Sequence, residues 1–119
     1  MATLKRNVIE LIKEVSEEGE VLKSEKYLTP AFIPLKVVYQ AMDLTAEMQK
    51  SSFKNEREMV DRFIDFIVHD IYKDKFTREE LIDGLHAPEA VETLQNQILF
   101  VAQGYQTDET KKFLSEKKN

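Results

Sequence analysis

The sequence predicts a mainly α-helical fold, a small single-domain helical bundle with an N-terminal extended arm or β-hairpin. Three observations predict it. Only three Gly and three Pro occur in 119 residues, too few for a turn-rich sandwich. From about residue 32 onward, apolar residues recur at intervals of three and four in successive windows, the period of a helix with one buried face. The first 28 residues break that pattern, with β-branched side chains ahead of Gly19 and an extended-looking stretch behind it. A chain of this length fits one domain and buries roughly two thirds of the surface it exposes when unfolded.

Residues 1–28 form the arm. Val8, Leu11, Ile12 and Val15 fit a helical stripe, yet Val8, Ile9, Ile12 and Val15 are β-branched and suit a strand. Glu17-Glu18-Gly19-Glu20 reads as a turn, with Gly19 free to take positive φ. Val21 to Leu28, if extended, sets Val21, Lys23, Glu25 and Tyr27 on one side. A hairpin and a helix followed by an arm fit these residues equally.

Residues 29–106 form the helical core. Pro30 pushes Thr29 away from helical angles, and Pro34 suits a first helical turn. A helix from Phe32 or Leu35 to Gln49 follows, with Leu35, Val38, Tyr39, Met42 and Ala46 as its expected buried stripe. Lys50-Ser51-Ser52 ends it. Asn55 caps the next helix, with Glu56 and Glu58 at its positive end. Val60, Phe63, Ile64, Ile67 and Ile71 form its stripe, widened by Met59 and Phe66, and make it the expected central helix. Thr77-Arg78-Glu79-Glu80 is a capping box for a short helix lined by Leu81, Ile82 and Leu85. Pro88 opens a further helix whose expected buried face is Val91, Leu94, Ile98, Val101 and Ala102, and Gly104 stops it in a left-handed conformation. Three of the four Met residues are expected in the core. Residues 107–119 make a last helix capped at Thr107-Asp108-Glu109, with a frayed tail from Ser115.

Composition bounds the function. Cysteine is absent, which removes disulfides, thiolate metal sites and thiol nucleophiles. The net charge is −5, so phosphate backbones repel the chain and generic nucleic-acid binding is disfavoured. No apolar run approaches the roughly 20 residues that span a bilayer. The first residues, interrupted by Glu10 and Glu14, do not read as a signal peptide.

No constellation supports catalysis, a metal or a cofactor. His69 and His86 fall in different elements, and a metal site needs three or four converging ligands. A calcium loop starting at Asp70 needs Gly at its sixth position and Glu at its twelfth, where Lys75 and Leu81 stand. Glu17-Glu18 and Glu79-Glu80 are turn and cap chemistry, since neighbouring acids on a helix point apart. Lys75 to Leu85 has the outline of a helix-turn-helix, but Glu79, Glu80 and Asp83 would repel DNA. Phe53, Phe100, Tyr105 and Phe113 lie at element edges, where aromatics either close a core or anchor a partner. Phe53, Tyr105 and Phe113 are the candidate partner-binding residues, and Phe100 is expected to support the core.

The order of the pieces resembles a known family. Thr29-Pro30-Ala31-Phe32 ends the arm. Asp61 to Val68 reads DRFIDFIV, Phe76 to Leu85 reads FTREELIDGL, and Val91 to Gly104 closes the core. This arrangement, from about Val21 to Gly104, is similar to the tail assembly chaperones of siphophages and prophages of Gram-positive bacteria. The resemblance implies a non-enzymatic protein of the host cytoplasm, absent from the mature virion. Its expected partner is the tape-measure protein, kept soluble until tail-tube subunits displace the chaperone, and it is expected to form a homo-oligomer. The family further implies a longer frameshifted form that recruits the tail-tube protein, and Lys117-Lys118-Asn119 is compatible with an A-rich slippery stretch. A virion structural or connector protein and a small acidic protein-binding regulator are the rival readings. An acidic chaperone favours a client with basic stretches.

Overall fold

In a computed structural model of the chain, the structure describes residues 4–50 and 55–117. The arm is a hairpin. β1 (Val8–Val15) pairs antiparallel with β2 (Val21–Leu28), with Val8 opposite Leu28 and Leu11 opposite Glu25. Burial follows period two: Ile9 and Leu11 are buried, while Glu10 between them is exposed. That alternation defeats the helical stripe through residues 8, 11, 12 and 15, because only strand geometry buries 9 and 11 together on one face. The register slips around Lys13, a bulge that twists the far end of the hairpin. Gly19, at φ +90°, and the Ser16 hydroxyl, which accepts from the Glu20 amide at 3.0 Å, close the turn.

α1 (Lys36–Gln49) buries Val37, Ala41 and Leu44. The expected stripe is corrected here: Leu35, Tyr39 and Met42 are 65%, 61% and 58% exposed. α1 carries two apolar rows on opposite sides, and only one can face its neighbour, α4 (Ala87–Gln103). The row with small Ala41 at its centre permits the closer approach. Met42 therefore leaves the core, while Met48 and Met59 pack against it half-buried.

α2 (Glu56–Asp65) starts at Asn55, whose side chain accepts from the Glu58 amide at 2.9 Å. It buries Phe63 and Ile64 and continues as a π-helical turn, Phe66–Ile71. The wider turn buries Phe66, Ile67 and Val68 in succession, followed by Ile71 and Tyr72. Lys73 and Asp74, both at positive φ, then reverse the chain. α3 (Arg78–Gly84) has the predicted capping box: the Thr77 hydroxyl accepts from the Glu80 amide at 3.1 Å, and the Glu80 carboxylate accepts from the Thr77 amide at 3.0 Å. α3 packs on β1 so closely that a Cβ on Gly84 would lie 2.9 Å from the Leu11 Cβ. Only Leu81 and Gly84 of α3 are buried, and Ile82, expected beside Leu81, is 52% exposed.

α4 buries Leu94, Gln97, Ile98 and Phe100 and ends at Gly104, φ +74°. Val91 is 42% exposed because the helix meets the core only from its second turn. Gln97 ties three elements together. Its amide donates to the Val8 carbonyl at 2.9 Å, and its oxygen accepts from Asn7 at 3.3 Å and from the Tyr72 hydroxyl. Thr29 joins the same knot by accepting from the Asn7 amide at 3.0 Å. Burial pushes the Tyr72 phenol far up, so it stays a donor. α5 (Asp108–Lys117) starts where Thr107 accepts from the Thr110 amide at 3.1 Å. It runs helical to Lys117, and Phe113 on it lies under Lys26 of β2.

Candidate partner-binding surfaces

The candidate residues divide. Phe53 lies outside the described residues. Phe100 is buried and belongs to the packing of α4. Tyr105, 44% exposed, follows the Gly104 stop, where Lys5 donates to the Gly104 carbonyl. Phe113 is half-buried under the Lys26 ammonium, 4.7 Å from its ring centroid, a cation–π contact between α5 and β2. The structure does not bring Tyr105 and Phe113 into one site. Phe113 lines a cleft between β1, the first half of α4 and α5, and Tyr105 lies outside it.

That cleft has a volume of about 600 Å³. Half-buried Val8, Ile12 and Leu85 supply its apolar floor. Glu10, Glu89, Glu92, Asp108 and Glu109 contribute carboxylates around it, against the single ammonium of Lys26. The acids come from a strand and two helix starts. Glu89, Asp108 and Glu109 stand in first turns, where the helix dipole favours negative charge. The result is an acid-rimmed, apolar-floored groove, suited to a basic amphipathic segment and unsuited to phosphate.

A smaller cleft of about 350 Å³ lies between α1 and α2. Its rim includes Asp43, Glu47, Asp65 and Asp70, with Arg62 paired to Glu47 at 2.8 Å. His69 is exposed, and its Nδ1 meets the Asp74 carboxylate. His86 is exposed at the cap position of α4. Among the described residues no three His, Cys, Asp or Glu side chains are placed to hold a metal ion, and no helix is long and apolar enough to cross a membrane.

Two apolar surfaces were not foreseen as such. One is the outer row of α1, with Phe32 of the preceding segment also 66% exposed. The other is the hairpin tip, where Val15, Val21 and Leu22 are 50%, 52% and 57% exposed. The available signal for the first was a second apolar row, Val37, Ala41, Leu44 and Met48, running behind the expected one at the same helical spacing.

The sequence model of phage tail chaperone proteins matches residues 3–118. Neither a curated protein nor a solved structure matches the chain.

Proposed function

This chain belongs to the phage tail chaperone protein family, and we propose that it binds the tape-measure protein and keeps it soluble while a siphophage tail is built. The family match over nearly the whole chain carries the reading; the surface chemistry supports it. A tape-measure client is a long apolar helix, and its holder needs apolar contact area together with enough charge to keep the complex in solution. The acid-rimmed cleft beside Phe113 offers both, and the net charge of −5 favours basic stretches in the client. In this reading the client's apolar side rests on Val8, Ile12 and Phe113, and its Lys and Arg side chains meet Glu89, Glu92 and Asp108. Tyr105 extends the contact beyond the cleft. The protein works in the host cytoplasm, self-associates, and leaves before the virion is complete. A longer frameshifted form recruits the tail-tube protein; a gene with no slippery heptamer near codons 117–119 removes that part.

Co-expression with the tape-measure protein of the same genome tests the reading. The tape-measure protein should be soluble, and co-purify, only when this chain is present. If it stays insoluble and unassociated, and the chain is found in purified virions, the connector reading replaces this one. Phe113→Ala should lower the recovered tape-measure protein severalfold and leave the thermal midpoint of the chain nearly unchanged. An unchanged pull-down removes the cleft from the proposal.

A further inference from the structure

α1 is apolar on two sides. Val37, Ala41 and Leu44 face the core, and Leu35, Tyr39 and Met42 face solvent, each more than half exposed. At about 100° per residue, the centres of the two rows lie roughly 160° apart. The outer positions are separated by four and then three residues, and Ala46 continues the row four residues on. This is the spacing of a seam between two helices. Lys36 and Asp43, seven residues apart and both exposed, stand along one edge of the row. Neither forms an ion pair with another described residue.

From this we infer that the outer row of α1 pairs with the same row of a second copy, antiparallel about a two-fold axis between Tyr39 and Met42. In that register Tyr39 packs on the second copy's Met42, and Met42 on its Tyr39, two thioether–aromatic contacts at the centre. Leu35 covers the second copy's Ala46 on either side. Lys36 reaches the second copy's Asp43, and the symmetry makes this ion pair twice. A parallel pairing sets Asp43 opposite Val38, which carries no charge, and leaves Lys36, the first residue of the helix, with no residue of the other α1 opposite it. The self-complementary edge selects a second copy over an unrelated helix, and selects the antiparallel sense.

Size sets the strength. Three large side chains, Ala46 and two charges on each copy fall well short of the roughly 20–30 residues a side of a standard interface, so the pairing is weak and reversible. A contact of this size forms when copies are crowded together and opens without a motor. The pairing gives the self-association proposed above its surface, and it is independent of the client: α1 contributes no residue to the cleft beside Phe113, and the pairing holds whatever the cleft binds.

Sedimentation velocity of the full chain over a concentration series tests it. A reversible monomer–dimer equilibrium is expected. Met42→Glu should abolish the dimer while the thermal midpoint stays put, because the side chain is exposed. Lys36→Asp or Asp43→Lys should each raise the dimer dissociation constant about tenfold, since either change turns two attractions into repulsions. The double exchange, Lys36→Asp with Asp43→Lys, should return it to within about threefold of the parent, since it restores both pairs in reverse. A chain that stays monomeric at its solubility limit overturns the inference. So does a dimer indifferent to Met42→Glu, or one lost in both single reversals and not regained in the exchange. If the chain is monomeric throughout but Met42→Glu releases co-expressed tape-measure protein, the row belongs to the client. The pairing then fails while the chaperone reading stands.

Discussion

The base of the hairpin and the outer face of α1 both gather large side chains, and they meet solvent in opposite ways. At the base, Leu11 is fully buried, and Asn7, Thr29, Tyr72 and Gln97 satisfy one another. Among the described residues no buried side-chain polar atom lacks a partner. On α1, Leu35, Tyr39 and Met42 stand more than half exposed. The contrast separates what holds the chain together from what it keeps for other molecules. Substitutions at the base should therefore act on folding, and substitutions on the outer face on association.

The sharpest break should come at Leu11. Leu11→Ala removes a wholly buried side chain where α3 already approaches at Gly84, so the backbone has little room to collapse into the cavity. A loss of about 4 kcal/mol in unfolding free energy is expected by urea titration. Gln97→Leu comes next. The apolar side chain fits by volume but leaves the Val8 carbonyl, the Asn7 amide and the Tyr72 hydroxyl without their shared partner. Several buried polar groups orphaned together cost about 3 kcal/mol, less than Leu11 because water and small shifts recover part of it. A Gln97→Leu chain as stable as the parent would mean that the knot is ornamental and the base no different from the face.

These two regions also differ in how far the sequence discloses them. The α2 stripe and the Thr77–Glu80 box are legible because their determinants lie within a few residues of one another. The hairpin was legible only as one of two options, since the stripe through residues 8, 11, 12 and 15 and the alternation at 9 and 11 coexist in one segment. Which row of α1 is buried was not legible at all. Both rows have helical spacing, and the choice is made by α4, far along the chain. Gln97 was equally silent: a glutamine in a helix reads as solvated, and its partner Asn7 is 90 residues away. The π-helical turn at Phe66–Ile71 looked like ordinary helix. Of the candidate cleft, Phe113 was visible as an edge aromatic. The convergence of Glu10, Glu89 and Asp108 exists only once the hairpin, α4 and α5 are folded together.

A smaller effect is expected where α3 is fastened to the hairpin. Thr77→Ala removes the cap and should cost about 1 kcal/mol. Glu80 links the same cap to β1, because its carboxylate also accepts from Lys13 at 3.0 Å. The Thr77 amide first, and Lys13 second, hold the Glu80 carboxyl below its ordinary value of 4.5. A depressed folded value means that the contribution is complete above that ordinary value and fades as pH falls through the lower one. Glu80 in turn raises the Lys13 ammonium above its ordinary 10.5, so its share is complete below that value and is lost at higher pH. Thermal midpoints of the parent should therefore fall on the acid side with a component that Glu80→Gln, which cannot ionise, removes. Parallel acid limbs in the two proteins would detach Glu80 from the cap.

The smallest stability effect belongs to the outer face, and it completes the contrast. Tyr39→Ser with Met42→Gln removes two large apolar side chains from a helix, a change that costs several kcal/mol when they are buried. Here both are more than half exposed, neither belongs to the core cluster, and the inner row of Val37, Ala41 and Leu44 is untouched. Helix propensity alone then sets the cost, about 0.5 kcal/mol, within the scatter of surface substitutions. The expected result is a denaturation midpoint that hardly moves, measured on dilute protein so that self-association contributes nothing. A drop of 2 kcal/mol or so would show the row packed against the chain's own residues, and would erase the distinction between a face that folds the protein and a face that meets another copy.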